Sequence, residues 1–288
     1  MTEILEFALE TARRAGCLLR EFASRQHTIN HKSTSIDLVT EADLASERLI
    51  VAAIRARFPD HTILSEEGLG DLTVHGDHDW HDWQSQRNRH TAQGASLLWL
   101  VDPLDGTVNY AHGYPVWGVS LALAEAGKVV MAVVYDPLRD EAFWAERGQG
   151  AWLDYPGHRG NRLHVSKAAR LQEALLATGF PYRRALQGDN NLAEFNAVMP
   201  RVQGMRRAGA AVLDLAHVAA GRLDGYWEKY LQPWDWAAGW LLVEEAGGTV
   251  TTLDGQPWSL QEKNMAASNG LLHEELLNIV SHAVVCKE

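Results

Sequence analysis

The segment from Trp99 to Tyr110 constrains this chain more than any other. It reads Trp-Leu-Val-Asp-Pro-Leu-Asp-Gly-Thr-Val-Asn-Tyr, so an apolar stretch leads directly into an aspartate. Residues Leu97 to Val101 predict a short buried strand that stops at Pro103, after which the chain bends sharply. Asp102 and Asp105 lie three residues apart on this bend. Their side chains can therefore converge on one site.

Converging carboxylates of this kind repel each other unless cations neutralise them. Carboxylate oxygens are hard ligands, which select Mg²⁺, Mn²⁺ or Ca²⁺ rather than zinc. An ordinary Asp-rich turn has the same short pattern, so the fragment alone does not decide between a cation site and a turn.

Three further segments place acidic residues at predicted helix starts or strand ends. Asp37 to Asp43 puts carboxylates before and within the first turn of a predicted helix, and Ile63 to Gly68 puts adjacent glutamates after a short apolar run. Pro233 to Gly239 sets a single aspartate between two tryptophans at a helix start. Taken singly, each has a plain structural explanation as a helix cap or a surface turn.

The hydrophobic pattern predicts strands and helices in mixed order, without a regular βαβ repeat, which favours a layered α+β or mixed α/β fold. Helical spacing and strand-length apolar runs predict helices near residues 4–22, 40–59, 212–220, 236–246 and 271–284, and strands near 116–124, 129–135, 143–146 and 151–153. Residues 71–93 depart from this regularity and are rich in His, Asp and Trp. They are interpreted as a solvated insertion, with a metal-binding loop as the alternative.

Bulk composition excludes several classes of protein. The net charge of -11 disfavours broad nucleic-acid binding, which needs basic residues to displace counterions. No apolar run reaches the length of about 18 residues that a membrane span needs, and the N-terminus lacks a secretory core. The two cysteines, Cys17 and Cys286, lie at opposite ends of the chain. A cytoplasmic protein without disulfides is therefore expected.

Together and in this order, the four acidic segments resemble the inositol monophosphatase family, among the lithium-sensitive, magnesium-dependent phosphatases. The resemblance extends roughly from Phe7 to His282 and includes Arg206 to Ala211 and Gly221 to Glu228. It implies the layered αβαβα sandwich of the sugar phosphatases, an α+β (mixed α/β) fold. A single domain over residues 1–288 is expected, with an insertion at about 71–95, and so are a homodimer and inhibition by lithium.

The resemblance implies a role for most of the acidic residues. A first Mg²⁺ would be bound by Glu66, Asp102, the Leu104 carbonyl and Thr107. A second would be bound by Asp102, Asp105 and Asp235. Roughly two to three Mg²⁺ ions are expected per active site, the third held by Glu66 and water. The implied catalytic residues are Asp43, Thr107 and Glu66, with Asp43 pairing with Thr107 to activate the attacking water.

On the substrate side, the resemblance implies contacts with Gly106, Thr107, Gly209, Ala210, Ala211 and Glu228. The first two would bind phosphate through backbone N–H groups, and the Glu228 carboxylate would accept hydrogen bonds from ring hydroxyls. Many members have Ser or Thr where this chain has Ala210, so one hydroxyl contact is absent.

The expected function is Mg²⁺-dependent hydrolysis of a small phosphorylated polyol, with inositol 1-phosphate as the leading substrate. Histidinol phosphate, fructose 1,6-bisphosphate and 3′-phosphoadenosine 5′-phosphate are alternatives. A bisphosphate would need extra cations at the mouth of the site, and the candidates in the sequence are Arg183, Arg184 and Arg206. A non-catalytic regulatory binding protein is the alternative of another class. Loss of a metal carboxylate would mark it, and none is missing.

Overall fold

The computed structural model describes residues 2–24, 29–31, 38–72, 97–186 and 188–283. Asp37 lies outside the described residues, and so do residues 73–96, which make up most of the predicted insertion. The helices are α1 Glu3–Ala23, α2 Glu41–Arg57, α3 Thr107–Ala111, α4 Leu192–Val198, α5 Ala211–Ala219, α6 Pro233–Glu245 and α7 His273–Val280, with 3₁₀ turns at Leu171–Glu173 and Met199–Arg201. None of the described helices combines the length and apolarity needed to cross a membrane.

The strands pair into three sheets within the described residues. Their bounds are β1 Ile29–His31, β2 Leu38–Thr40, β3 Thr62–Ser65, β4 Leu97–Asp105, β5 Gly118–Glu125, β6 Lys128–Asp136, β7 Glu141–Glu146, β8 Ala151–Tyr155, β9 His158–Arg162, β10 Leu175–Thr178, β11 Gly204–Arg206, β12 Gly225–Glu228, β13 Thr249–Thr252 and β14 Met265–Ser268. β1 pairs with β2. The first large sheet has the order β3-β4-β5-β6-β7-β8-β9, and the second has the order β11-β10-β12-β14-β13.

The two large sheets are separated by helices and covered by helices. α1 and α2 pack on one face of the first sheet, α5 and α6 lie between the sheets, and α7 packs on the second sheet beside α4. Three hydrophobic cores fill these interfaces. The expected αβαβα layering and mixed α/β class are therefore confirmed.

The central strands of the first sheet are hydrophobic on both faces because both faces are covered. In β4, Trp99 and Val101 face the core beneath α1 and α2. Leu98 and Leu100 face the opposite core, beneath α5 and α6. This alternation is the two-residue period of a strand, so β4 reads in the sequence as one continuous apolar run.

The structure differs from the sequence prediction at β4. The strand does not stop at Pro103 but continues to Asp105, with a shift in its pairing to β5 between Asp102 and Asp105. Proline is tolerated there because the irregularity removes the ladder hydrogen bond that its missing N–H could not make. Both aspartates are therefore carried by one buried strand.

Two helix boundaries also differ from prediction. α6 begins at Pro233 rather than at residue 236, because proline is preorganised for the first helical position and needs no N–H partner there. Asp235 consequently lies in the first turn of this helix. α7 spans His273–Val280, which is shorter than the predicted range of 271–284.

Gly239 permits the close approach of α5 and α6. A Cβ atom built on it would lie 2.5 Å from both Cβ and Cδ1 of Leu215 on α5. We expect Gly239→Ala to lower the free energy of unfolding by about 1–3 kcal/mol, because the helices must separate. Urea unfolding would measure this, with Gly188→Ala, which has open space, as the control. Equal or greater stability of Gly239→Ala would show that the helices accommodate the methyl group.

His273 predicts an acid-sensitive stability. Burial lowers the pKa of its ring from 6.5 to about 4, and the ring nitrogens lie 3.0 Å from Ser268 Oγ and 2.8 Å from Thr251 Oγ1. Between these pH values the unfolded chain binds more protons, so stability falls as pH falls. From pH 6.5 to 5, the wild type should lose about 2 kcal/mol more than a His273→Gln variant. Replacement of the exposed His282 is the control, and parallel pH curves for wild type and His273→Gln would contradict the prediction.

Candidate active site

A cavity of about 530 Å³ lies where the first sheet, the central helices and the second sheet meet. Eleven of the twelve site residues expected from sequence line it. They are Glu66, Asp102, Leu104, Asp105, Gly106, Thr107, Gly209, Ala210, Ala211, Glu228 and Asp235. The twelfth, Asp43, lies behind the wall and is hydrogen bonded to Thr107. Residues far apart in the chain are thus brought to one place.

The parallel pairing of β3 with β4 brings Glu66 next to Asp102. Ser65, the last residue of β3, pairs with Val101, so the residue after each lies at the same edge of the sheet. The Glu66 N–H donates to the Val101 carbonyl at 3.2 Å. Buried Glu47 on α2 holds the following turn by accepting hydrogen bonds from Ser65 Oγ at 2.5 Å and from the N–H groups of residues 67 and 69.

Asp43 both caps α2 and positions Thr107. Its Oδ2 accepts hydrogen bonds from the Thr40 N–H at 2.8 Å and the Thr40 hydroxyl at 2.5 Å, which completes a capping box. Its Oδ1 accepts the Thr107 hydroxyl at 2.9 Å. Burial raises the pKa of Asp43, and the hydrogen bonds from Thr40 oppose that rise. Helix capping therefore explains the contacts of Asp43 Oδ2, whereas Oδ1 contacts Thr107 on the cavity wall.

Asp102 and Asp105 are unfavourable as buried anions in the absence of a cation. Burial raises the pKa of Asp102 well above its usual range, and the charges of Glu66, Asp105 and Asp235 add to the effect. Burial, followed by the charge of Asp235, does the same for Asp105, and a hydrogen bond from the Val212 N–H at 2.8 Å opposes it. A divalent cation would reverse this balance by favouring the charged carboxylates.

The donor chemistry of this wall fits Mg²⁺ because it consists of carboxylate, carbonyl and hydroxyl oxygens. In the part of the chain that the structure describes, no three His, Cys, Asp or Glu side chains form a preassembled cation cage. Some of the acids are held by other donors. Asp235 Oδ2, for example, accepts the Gln232 N–H at 2.7 Å. The oxygen ligands on this wall are thus of the kind that Mg²⁺ prefers, although those of the described residues do not form a complete coordination shell in this structure.

Gly106 has the backbone conformation that turns the chain from β4 into α3. Its φ of +93° lies in the left-handed region, and a Cβ there would be 2.9 Å from the Val116 carbonyl oxygen. Only glycine meets both requirements without strain. The turn places Thr107 on the cavity wall directly after the two aspartates.

Glu228, at the end of β12, lies on the opposite wall in a confined position. Its carboxylate accepts the Tyr226 hydroxyl and occupies the space that a side chain at Gly179 would need. Burial raises the pKa of Glu228 to about 7, while the Tyr226 hydrogen bond and the charge of Arg207 oppose the rise. Sequence reasoning did not identify Gly179 or Tyr226, because their relation to Glu228 depends on the pairing of β10 with β12.

The cationic residues at the cavity differ from those expected. Arg183 lines the cavity, but Arg184 and Arg206 do not. Arg207 and Lys229 also line it, and the Lys229 ammonium is paired with Asp189 and Glu194. Arg206 is exposed in β11, and its guanidinium donates to the adjacent Met205 carbonyl. Arg207 is the residue directly after β11, and it lines the cavity in place of Arg206.

Asn191 joins the two strands that carry the Glu228 wall, and no sequence signal identified it. Fully buried, its amide donates to Thr178 Oγ1 at 2.8 Å and to the Gly179 carbonyl at 2.6 Å. Its Oδ1 accepts Trp227 Nε1–H at 2.7 Å. The end of β10 is thereby fixed to the end of β12.

We expect Asn191→Ala to destabilise the protein by roughly 2–4 kcal/mol, because buried polar groups of Thr178, Gly179 and Trp227 would lose their partner. Chemical denaturation would measure this, with replacement of the exposed Asn278 by alanine as the control. A loss below about 1 kcal/mol would show that water replaces the amide.

Comparisons with known proteins identify the family of the chain. A sequence profile of the inositol monophosphatase family matches residues 1–284. The chain is 42% identical to the Nus factor SuhB of Pseudomonas aeruginosa, covering 97% of this chain and 96% of that protein. It is 41% identical to an inositol-1-monophosphatase of Synechocystis, covering 94% of this chain and 86% of that protein.

Solved structures show the same relationship. The inositol monophosphatase of Anabaena is 37% identical and has a TM-score of 0.80, covering 98% of this chain and 97% of that one. The extragenic suppressor protein suhB of Bartonella henselae is 35% identical and has a TM-score of 0.84, covering 98% and 100%. This chain belongs to the inositol monophosphatase family and is a phosphoric monoester hydrolase.

Proposed function

We propose that this protein hydrolyses a small phosphorylated polyol, with inositol 1-phosphate as the leading substrate, in a Mg²⁺-dependent reaction with direct attack by water. One observation carries the proposal. The Asp43–Thr107 pair and the carboxylates of Glu66, Asp102, Asp105 and Asp235 surround the same cavity. Its volume of about 530 Å³ is in the range of small-molecule sites.

The residues proposed to hold Mg²⁺ divide into two sets that share Asp102. The first set is Glu66, Asp102, the Leu104 carbonyl and Thr107, and the second is Asp102, Asp105 and Asp235. When bound, Mg²⁺ would supply Lewis acidity that stabilises negative charge on phosphate and lowers the pKa of water. The burial of Asp102 and Asp105 supports this assignment, since an anion so placed is stabilised by a cation.

Asp43 and Thr107 are proposed to orient and deprotonate the attacking water. A threonine hydroxyl alone is too weak a base, but here its oxygen lies 2.9 Å from Asp43 Oδ1 and 3.2 Å from the Leu104 carbonyl oxygen, and the carboxylate is the stronger proton acceptor. The Thr107 oxygen can therefore present a lone pair to water while the carboxylate accepts the hydroxyl proton. The two hydrogen bonds from Thr40 keep the carboxylate in this orientation.

The opposite wall is proposed to bind the organic part of the substrate. Glu228 would accept hydrogen bonds from hydroxyl groups, and the backbone of Gly209, Ala210 and Ala211 would line the same side. Backbone N–H groups of Gly106 and Thr107 would contact the phosphate. Histidinol phosphate and the two bisphosphates are the other substrates that the experiment must include.

The experiment is phosphate release from inositol 1-phosphate, histidinol phosphate, fructose 1,6-bisphosphate and 3′-phosphoadenosine 5′-phosphate. Each ester is tested with Mg²⁺, with EDTA, and with Mg²⁺ plus Li⁺. We expect release that requires Mg²⁺, falls with Li⁺ and is greatest for inositol 1-phosphate. Release that persists in EDTA would contradict the metal-dependent mechanism. A strong preference for another ester would replace the proposed substrate.

A homodimer is also proposed, on the family resemblance. Light scattering coupled to size-exclusion chromatography would give a mass of about twice the 32.0 kDa of one chain. A mass of one chain at micromolar concentration would contradict it.

A regulatory binding role is a second candidate, because a relative with 42% identity is named a Nus factor. All the proposed catalytic groups are retained here, so a binding role would accompany hydrolysis rather than replace it. If a gene carrying Asp102→Asn rescues a strain in which the wild-type gene is deleted, the deletion phenotype results from loss of binding. If the wild-type gene rescues this strain and the Asp102→Asn gene does not, the deletion phenotype results from loss of hydrolysis.

A further inference from the structure

Asp214 is a buried acid that the reaction described above does not use. It lies near the start of α5, is only 4% exposed, and lines the cavity. Among the described residues, no group donates a hydrogen bond to its carboxylate or forms an ion pair with it. The charges of Glu228 and Arg207 act on it through space, and its own charge raises the pKa of Asp105.

Other buried acids in this molecule are satisfied by several donors. Glu47 accepts three hydrogen bonds, and Asp136 accepts two backbone N–H groups and the Arg139 guanidinium. Asp154 accepts donors from Arg13, Trp144 and the backbone of residue 160. Asp214 lacks such partners, so its acceptor capacity is directed to whatever occupies the cavity.

Stabilisation of the α5 dipole does not explain the burial. An acid in a first helical turn is favourable when exposed, and burial adds a desolvation penalty without strengthening any contact shown by the structure. A ligand that donates to the carboxylate would offset that penalty. The position therefore fits a binding role better than a capping role.

The chemical class of the ligand follows from the neighbouring charge. Glu228 is on the same wall, and a second phosphate placed there would face two carboxylates. Hydroxyl and ammonium groups, which donate hydrogen bonds, would be favoured instead. Arg207 offsets part of the negative charge but donates no hydrogen bond to Asp214.

We propose that Asp214 is a specificity-determining residue that accepts a hydrogen bond from a hydroxyl or ammonium group in the organic part of the substrate, beside Glu228. This inference rests on the proposed phosphatase function. It favours monoesters that are rich in donors over bisphosphates.

The test compares wild type with Asp214→Asn, which preserves shape and removes the charge. The probes are inositol 1-phosphate, which offers hydroxyls, histidinol phosphate, which offers an ammonium group, and p-nitrophenyl phosphate, which offers no donor in its organic part. We expect kcat/KM for a donor-bearing ester, relative to p-nitrophenyl phosphate, to fall about tenfold or more, mainly through KM. A larger fall with one of the first two esters identifies the donor as hydroxyl or ammonium.

Asp60→Asn, at an exposed position outside the cavity, is the matched control and should leave these ratios unchanged. The inference is overturned if, in Asp214→Asn, the ratios of kcat/KM between the donor-bearing esters and p-nitrophenyl phosphate stay within twofold of wild type. If kcat/KM also falls equally for all three esters, the role of Asp214 is structural. If wild type hydrolyses none of the esters, the proposed function fails. In that case the dissociation constants of the three esters are measured for wild type and for Asp214→Asn. A loss of affinity that is specific to the donor-bearing esters supports the role of Asp214, and an equal or absent loss overturns it.

Discussion

An Asp102→Asn variant is expected to lose at least about a thousandfold in kcat while becoming more stable in EDTA. Loss of roughly 4 kcal/mol of transition-state stabilisation corresponds to that factor, and Asp102 is the residue proposed to be shared by both metal sets. The gain in stability has a separate cause. Burial and three neighbouring acids raise the pKa of Asp102, so its anionic form is unfavourable in the metal-free fold.

The sign of the stability effect depends on pH. Because the folded protein holds the Asp102 proton more tightly than the unfolded chain, the wild type loses stability as pH rises above the ordinary aspartate pKa. Asparagine does not titrate, so the metal-free variant should be more stable by roughly 1–3 kcal/mol at neutral pH. Asparagine can still accept the Leu104 N–H, which lies 3.1 Å from Asp102 Oδ1.

Thermal unfolding with EDTA and with Mg²⁺ would separate the two effects. Mg²⁺ should stabilise the wild type and have little effect on the variant, and Asp60→Asn should behave as wild type in both conditions. Full activity in Asp102→Asn, or equal stabilisation of both proteins by Mg²⁺, would contradict the assignment.

Thr107→Val is expected to lower kcat by about 10²–10⁴ and the free energy of unfolding by about 1–2 kcal/mol, because one buried oxygen of Asp43 loses its donor. The substitution keeps the branched shape but removes the hydroxyl that donates to Asp43, so the proposed proton path is lost. The Asp43 carboxylate keeps its two hydrogen bonds from Thr40, and the α2 cap is preserved.

Single-turnover phosphate release would measure the chemical step, and Thr11→Val, at another buried threonine, is the control. A kcat within threefold of wild type would show that water is activated without Thr107. Restoration of most of the activity by Thr107→Ser would attribute the loss to the hydroxyl rather than to packing.

Local sequence places the acids beside strand ends and helix starts, but the prediction that they form one metal-binding wall came from the family resemblance. Asp102 and Asp105 follow a recognisable apolar run, and Asp235 lies beside a proline that begins a helix. Local patterns of this kind locate carboxylates at turns. The pairing of Asp43 with Thr107 came from the family resemblance, since the two residues are separated by 64 positions.

The opposite wall could not be predicted in the same way. Asp214 resembles any acid near a helix start, and Asn191 resembles any polar loop residue. Their environments arise from the register of β10 with β12 and from the packing of α5 between the sheets. The continuation of β4 through Pro103 was missed for a related reason. It depends on how β5 pairs with β4, which the apolar run itself does not encode.

The division of the cavity between two sheets has an evolutionary consequence. The second sheet carries Glu228 and adjoins Gly179 and Asn191, while the proposed metal-binding residues come from the first sheet, its adjoining turns and α6. With the proposed role of Glu228, mutations in the second sheet would alter which phosphate ester binds without changing the proposed hydrolytic residues. After gene duplication, one copy could acquire a new substrate while selection preserves its hydrolytic residues. The sequences of paralogues should therefore differ most in β10, in β12 and in residues 179–191.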